Sequence, residues 1–482
     1  MKENNRNRTS QQITRNGERR VRSGQSADTR KRSYEEIPAP SLGHKKTGPT
    51  IQERAQQHRQ AAQPGNKNNA NENKKRVKKQ PEVQKQATSP SLLSKILNHD
   101  KQAGPPDFLI VELVTILLVI GLIMVFSASS YRSLLESSNA FSYFIRQLVM
   151  ATAGVVAMIV IMFLSPKIFA KVAPIALLFV TGLIVYTLFN GEETLGATRW
   201  VTIAGMRFTP SELAKPLMII CAADLVKDDW RDMYRSRENL CMLGLLLVNL
   251  VLIASEDLGS ALAIFGGCFA LFIVAGISKR VILGTIAAGL LGVVAACIQE
   301  PYRVHRILGF LNQTEADAAS GSAYQLVQSL YAFGSGGLFG VGLGNSGQKL
   351  LYLPGMHTDF IYSVIGEELG IVGALWVLGL FIALGWRGFW IATRIEDAYK
   401  SYLAFGATAI ILVQALINMG VAVGVLPVTG ITLPFISYGG TSVFVSLTLV
   451  GILLNMSRYA DKKSSQEKRR KRQHTTLNKQ ES

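Results

Sequence analysis

The sequence has 482 residues, of which 48% are hydrophobic and 17% charged, and its formal net charge is +18 at pH 7. The charge lies at the two ends, because residues 1–105 carry a net +14 and residues 457–482 a net +6, which leaves −2 between them. Basic segments beside apolar sequence are typical of attraction to anionic lipids. No platform of aromatic residues is interleaved with these charges, which argues against a nucleic-acid partner.

Apolar residues gather in runs that approach the roughly 20 residues needed to cross a bilayer. The runs lie at 108–128, 143–164, 168–189, 211–226, 240–254, 258–277, 281–299, 360–386, 403–425 and 434–456. We therefore predict an all-α integral membrane protein with about ten transmembrane helices. The predicted organisation is a disordered basic tail over 1–105, a polytopic membrane domain over 106–457 and a second basic tail over 458–482.

Basic residues between the runs predict the orientation. With the N-terminus in the cytoplasm, basic residues fall in the loops that stay inside, as the positive-inside rule requires. They are Lys167, Lys171, Lys227, Arg231, Arg235, Arg237, Lys279, Arg280, Arg387, Arg394 and Lys400. Both termini are then cytoplasmic, and the largest extracytoplasmic loops are 190–210 and 300–359. The second joins predicted helices seven and eight.

The first extracytoplasmic loop leads into the fourth predicted helix. Thr209, Pro210 and Glu212 are spaced as a capping box that begins this helix. Lys215 follows one turn later, where an ammonium group is costly unless it has a partner such as Glu212 or faces a polar cavity. Arg199, beside a tryptophan, is either an interfacial anchor or a guanidinium placed to bind phosphate.

Two further segments leave alternatives open. Of the adjacent acids Glu256 and Asp257, a helix N-cap explains one, while the other needs a cation, a metal ion or solvent. The glycine-rich stretch 334–344 lacks the strand and the Gly-Lys-Ser/Thr ending of a nucleotide loop. Its glycines either let irregular backbone pack closely or let backbone N–H groups approach an anion.

Asp359 stands at the start of the eighth predicted helix, where the local pattern favours a helix N-cap. The alternative is a functional carboxylate above a groove lined by Ser363, Gly366 and Gly370, which share one helix face. Together with the cationic residues Arg199, Arg303, Arg306 and Lys349, such a carboxylate suits a lipid-linked pyrophosphate. The Gly439-Gly440 break after the last loop indicates an interior cavity nearby.

These motifs, in this order, resemble the SEDS (shape, elongation, division, sporulation) family. They are Gly196-Ala197-x-Arg199-Trp200, Pro210-Ser211-Glu212-x-x-Lys215, Asp257-Leu258-Gly259, His357-Thr358-Asp359-Phe360 and Leu433-Pro434-Phe435-Ile436-Ser437-Tyr438-Gly439-Gly440. The resemblance covers about 108–456 and is stronger to the FtsW and SpoVE members than to RodA. The sequence departs from the family at Gly355, where glutamate is usual, and at Glu256, where proline is common.

The resemblance implies a peptidoglycan glycosyltransferase that polymerises lipid II at the outer face of the membrane, with Asp359 as the catalytic base. We predict substrate contacts from residues on the same side, namely Arg199, Glu212, Lys215, Arg303, Arg306, Lys349, His357 and Ser437. A divalent cation, Mg²⁺ or Mn²⁺, near Asp257 or Asp359 is compatible with the sequence but not demanded by it. The implied partners are a class B penicillin-binding protein and other division proteins at the septum.

Two other functions remain open at the sequence level. A transporter that flips lipid II would share buried charges and broken helices, but it needs charges near the membrane midplane that both sides can reach. The charged residues of the candidate site fall instead at the predicted outer edge. A scaffold that only recruits a synthase would need no catalytic carboxylate at Asp359.

Overall fold

The computed structural model describes residues 103–194, 197–203, 206–311 and 321–460. The helices of this part of the chain are α1 (Phe108–Ser137), α2 (Ser142–Phe163), α3 (Pro166–Asn190), α4 (Pro210–Leu225), α5 (Arg237–Glu256), α6 (Leu258–Val274), α7 (Lys279–Gln299), α8 (Pro301–Leu311), α9 (Gly321–Gly336), α10 (Ile361–Glu368), α11 (Gly370–Arg394), α12 (Ala398–Ala422) and α13 (Gly440–Ser457). The predicted disorder of residues 1–102 and the end of the C-terminal tail lie outside the described residues.

Eight of the described helices are long and apolar enough to cross a membrane: α1, α2, α3, α5, α7, α11, α12 and α13. The apolar runs predicted at 211–226 and 258–277 form the shorter helices α4 and α6, of 16 and 17 residues. The run at 360–386 is wrong as a single helix, because the chain breaks between α10 and α11. The predicted all-α membrane fold is confirmed, while the count of about ten transmembrane helices stays a prediction.

Both predicted extracytoplasmic loops contain regular structure that the apolar pattern did not reveal. Three short antiparallel strands, β1 (Glu192–Thr194), β2 (Ala197–Ile203) and β3 (Met206–Phe208), occupy the first loop in the order β1-β2-β3. The second loop contains α8 and α9. The molecule is thus a helical bundle with one small sheet at its edge.

Helices α12 and α13 form the centre of the bundle. Within their most apolar windows, 67% and 83% of residues are buried inside the protein, whereas only 6% are buried in α7. Small residues let the central helices approach their neighbours closely. A Cβ on Gly451 would lie 2.8 Å from the carbonyl oxygen of Met158, and one on Gly267 would lie 2.9 Å from Ile410.

The two ends of the described chain meet on one side of the bundle. The amide of Gly104 donates to the carbonyl of Arg458 at 2.7 Å, and the Arg458 guanidinium donates back to the Gly104 carbonyl at 3.2 Å. Asp107 caps α1 and forms an ion pair with Arg387 of α11 at 2.6 Å. We call this the tail side of the bundle and the opposite side the loop side.

The glycine-rich stretch packs against the break between α10 and α11. Gly370 takes a φ of +72° at the break, which leaves carbonyls at the end of α10 without helical partners. The amides of Val341 and Gly342 donate to the carbonyls of Glu367 and Glu368 at 3.0 and 3.1 Å. Close backbone packing, the first of the two alternatives for this stretch, is therefore what the structure has.

Candidate active site

Asp359 lies on a tight turn on the loop side. Gly355, with a φ of +73°, accepts hydrogen bonds at its carbonyl from the amides of Thr358 and Phe360 at 3.0 and 3.1 Å. Helix α10 begins only at Ile361, with Phe360 at its N-cap position and no side-chain cap. The N-cap interpretation of Asp359 is therefore wrong. Its carboxylate is half-buried and accepts from the Thr358 hydroxyl at 2.7 Å.

Asn418 of the central helix α12 joins this turn to the last loop. Its side-chain amide donates to the carbonyls of Asp359 and Ile431, both at 2.8 Å. The backbone amide of Tyr438 also donates to the His357 carbonyl at 2.8 Å. The turn that carries Asp359 is thus fixed through its backbone, both by Asn418 of α12 and by Tyr438 of the segment between α12 and α13.

Ser437, a predicted substrate contact, is buried within that segment. Its hydroxyl accepts from the amide of Leu433 at 2.7 Å, and its carbonyl accepts from the Gln147 side chain at 3.0 Å. Together with the amides of Ile436 and Ser437, which donate to the Leu433 carbonyl, these bonds satisfy the backbone of this irregular segment. In this conformation the Ser437 side chain stabilises the loop through its bond to Leu433.

The predicted groove below Asp359 is filled by protein. The Ser363 hydroxyl lies 2.5 Å from that of Ser329 in α9. A Cβ on Gly366 would lie 2.2 Å from the ring of Phe333, also in α9. The small residues of α10 therefore accommodate a neighbouring helix, and the expectation that they leave room for a lipid chain at this position is wrong.

Lys215 and Glu212 form a buried ion pair near the start of α4. The Lys215 ammonium, whose side chain is 1% exposed, lies 2.5 Å from the Glu212 carboxylate and 2.8 Å from the Gln414 side-chain oxygen. The predicted partner of Lys215 is confirmed. The predicted capping box is wrong, because Thr209 occupies the N-cap position without a side-chain hydrogen bond.

The other predicted cationic contacts lie on the loop side, and those that are described bind backbone carbonyls. Arg303 is buried and donates to Ala296 at 3.1 Å and to Ser255 at 2.6 Å, which holds α8 against the junction of α5 and α6. Arg306 donates to Val428 at 3.4 Å, and Lys349 donates to the Gly344 carbonyl. Arg199 lies on β2.

The adjacent acids at the start of α6 have separate partners. Asp257 is the N-cap of α6, where its carboxylate accepts from the amides of Gly259 and Ser260 and from the Ser260 hydroxyl. Glu256 accepts from the Thr187 hydroxyl at 2.7 Å. Across the described ranges, no group of three or more His, Cys, Asp or Glu side chains could hold a metal ion.

Beside the Asp359 turn lies a cluster that the sequence did not predict. Tyr143 packs edge-on against His357, with ring centroids 5.2 Å apart, and Tyr438 lies 4.9 Å from Tyr143 and 5.7 Å from His357. We call these three side chains the aromatic wall. The Tyr143 hydroxyl donates to Glu136 at 2.5 Å, and Arg132 pairs with the same carboxylate at 2.7 Å.

The imidazole of His357 is held neutral by its surroundings. Burial, and secondarily the positive charge of Arg132, lowers its pKa to about 4, although Glu136 acts in the opposite direction. Sequence reasoning identified His357 but not Tyr143 or Glu136. No local pattern marks those two, because they lie on a different hairpin more than two hundred residues earlier in the chain.

The fold and the site define a polytopic membrane protein with a fixed carboxylate turn and a buried ion pair toward one membrane edge. The chain belongs to the FtsW, RodA and SpoVE family of cell cycle proteins, whose family model matches residues 108–462. The predicted resemblance to this family is therefore confirmed.

The alignments with individual relatives span nearly the full length of each relative. Stage V sporulation protein E of Bacillus subtilis is 40% identical over 74% of this chain and 98% of its own. A protein named probable peptidoglycan glycosyltransferase FtsW from Geobacter metallireducens is 38% identical over 73% and 94%.

Two solved structures share the fold. A chain of a peptidoglycan synthase complex, studied for the coordination of polymerization and crosslinking, has a TM-score of 0.60 at 27% identity and covers 74% of this chain and 99% of that one. The crystal structure of Thermus thermophilus rod shape determining protein RodA has a TM-score of 0.54 at 27% identity, covering 74% and 97%.

Proposed function

We propose that this protein is a peptidoglycan glycosyltransferase that polymerises lipid II into glycan strands. The observation that carries the proposal is the half-buried Asp359 carboxylate, oriented by Thr358 and fixed through its backbone by Asn418. The names of the FtsW relatives and the synthase complex with the same fold support the same activity.

In the proposed reaction, Asp359 is the general base. It accepts the proton of the acceptor sugar hydroxyl as that oxygen bonds to the anomeric carbon of the donor, and the bond to undecaprenyl pyrophosphate breaks with inversion. A positioned base contributes about 10²–10⁴ in rate. The Thr358 hydroxyl keeps one carboxylate oxygen in place, so the orientation of the base does not depend on substrate.

Positive charge on the loop side assists the departing pyrophosphate. We assign direct contact to Arg199, Arg306 and Lys349, because Arg303 and Lys215 are buried. The Lys215 and Glu212 pair does not touch the ligand but fixes α4. Ser437 likewise fixes the last loop. This divides the predicted substrate contacts into residues that touch the ligand and residues that position them.

A divalent ion fits Asp359 better than Asp257, because both Asp257 oxygens already accept hydrogen bonds from α6. Mg²⁺ commonly binds one or two carboxylates together with substrate phosphates. When bound, such an ion would offset the charge of the pyrophosphate. The residues described above would bind and deprotonate the acceptor in either case.

We further propose that the loop side is extracytoplasmic and that both termini are cytoplasmic, which the basic residues of the tail-side loops support. The basic tails would then meet anionic lipid. A class B penicillin-binding protein is the proposed partner, supported by the synthase complex of the same fold. Similarity to FtsW supports action at the division septum with other division proteins.

The buried Lys215 and Glu212 pair also suits a lipid II flippase, since transporters place charges inside the membrane. The pair lies at the beginning of α4, toward the loop side, rather than at a midplane site reachable from both sides. Polymerisation is therefore the better supported function.

The test is lipid II polymerisation by the purified protein together with its cognate transpeptidase. Asp359→Asn should reduce glycan synthesis by about 10²–10⁴, while Asp228→Asn, an exposed tail-side change, should match the wild type. Equal synthesis by Asp359→Asn would remove Asp359 from the chemistry. Absence of synthesis by the wild type would favour the flippase.

A further inference from the structure

The aromatic wall stands directly beside the proposed catalytic base. His357 is two residues before Asp359, and its ring is enclosed by Tyr143 and Tyr438. Both tyrosines are only half-buried, so part of each ring remains accessible on the loop side. Neither tyrosine takes part in the proposed proton transfer.

One polar atom of the wall has no partner within the described part of the chain. His357 is 6% exposed, and its Nδ1 is buried without a hydrogen bond. Such an atom is costly to leave unsatisfied, and buried polar groups in native proteins usually have partners. A ligand group that binds against the wall would supply the missing hydrogen bond.

The chemistry of the wall selects an uncharged ligand. The two charges that act on His357, those of Arg132 and Glu136, are paired with each other, and the imidazole is neutral at neutral pH. A neutral imidazole offers one donor and one acceptor, which suits a hydroxyl or an acetamide. A pyrophosphate would instead require cations or several N–H donors.

We propose that the aromatic wall binds a pyranose ring of an N-acetylhexosamine in the lipid-linked substrate, with Glu136 as a positioning residue for Tyr143. This rests on the proposed function. The apolar C–H face of the sugar packs on the tyrosine rings, as apolar surface packs on aromatic side chains in other ligand sites. Its hydroxyl or acetamide pairs with His357 Nδ1.

Two sets of hydrogen bonds hold the wall in place. Gln147 donates to the Ser437 carbonyl at 3.0 Å and accepts from the Gly439 amide at 3.2 Å, so it fixes the backbone on both sides of Tyr438. Glu136 accepts from the Tyr143 hydroxyl, which sets the angle of that ring. The wall therefore joins α2, the Asp359 turn and the last loop, and Glu136 connects it to α1.

The experiment compares the affinity of the full-length protein for two probes, lipid II and undecaprenyl pyrophosphate, which lacks the sugars. We expect Tyr143→Ala to weaken lipid II binding about tenfold and to leave undecaprenyl pyrophosphate binding unchanged. Tyr143→Phe retains the ring and should lose only about twofold to threefold, as should Glu136→Gln. Tyr234→Ala, an exposed tyrosine on the tail side, is the matched control.

Wild-type lipid II affinity in Tyr143→Ala would overturn the proposal, as would an equal loss for both probes. If Tyr143→Ala does not fold, Tyr143→Leu keeps the apolar bulk without the aromatic face and should show the same selective loss. Failure of the proposed function is distinguishable, because it would appear as absence of polymerisation by the wild type whatever the affinities.

Discussion

Gly355 sits where its lack of a side chain controls the geometry of Asp359. Its φ is +73°, and an added Cβ would lie 2.4 Å from the Asp359 carboxylate oxygen. The left-handed conformation alone costs a non-glycine residue about 1–2 kcal/mol. The glycine that departs from the family pattern is therefore required by the turn that this chain forms.

We predict that Gly355→Ala displaces the Asp359 carboxylate and reduces the polymerisation rate at least about tenfold, because small misplacements of catalytic groups are costly. The rate and the melting temperature should be measured together. Gly334→Ala, in α9 with open space around its Cβ position, is the control and should keep the wild-type rate. An unchanged rate in Gly355→Ala would contradict this account of the turn.

His357 predicts a loss of stability in acid. Its pKa of about 4 in the folded protein lies below the ordinary histidine value of 6.5, so the unfolded chain binds the proton more readily. Stability from this residue is therefore lost as pH falls below 6.5, by about 2 kcal/mol between pH 7 and pH 5. The melting temperature of His357→Asn should fall less over this range than that of the wild type. The exposed His305→Asn should behave like the wild type, and equal slopes for His357→Asn would refute the prediction.

At the scale of elements, the break between α10 and α11 depends on a segment that is distant in sequence. Gly340 has a φ of +81°, and a Cβ there would lie 2.1 Å from the Glu368 carbonyl oxygen. The segment can donate to the end of α10 only because this position carries no side chain.

Gly340→Ala should therefore destabilise the protein by about 2 kcal/mol more than Gly344→Ala. Both positions have positive φ, but a Cβ at Gly344 would meet nothing within 4 Å. Thermal unfolding of the two variants separates the contact from the backbone strain. Equal melting temperatures would show that the segment can shift away from Glu368 at little cost.

The apolar runs predicted most helices well, because hydropathy records which segments must satisfy their backbone internally. Nine of the ten runs coincide with one helix each. The single helix predicted over 360–386 is wrong, because a glycine such as Gly370 does not by itself mark a break in an apolar run. The break depends on the amides of Val341 and Gly342, which satisfy the carbonyls at the end of α10. The pairing of Lys215 with Glu212 was predictable, because a buried ammonium is costly without a partner and Glu212 lies one helical turn before it.

At the scale of the whole molecule, the features that could not be predicted are contacts between distant parts of the chain. Asn418 fixes Asp359 across α12, and Tyr143 encloses His357 from the first hairpin. Neither contact leaves a periodic pattern or a spacing in the sequence. The site is therefore assembled by packing around α12 and α13, and no single sequence motif contains the information about these contacts.

The paired backbone of Gly104 and Arg458 means that the helical domain begins and ends at one place. Domains with adjacent ends tolerate circular permutation, since a short linker can join the old ends and new ones can open in an exposed loop. For this bundle, the order in which the chain connects the membrane helices can be changed without separating α1 from α13. Reporter domains fused to either end would likewise share one location, on the same side of the membrane.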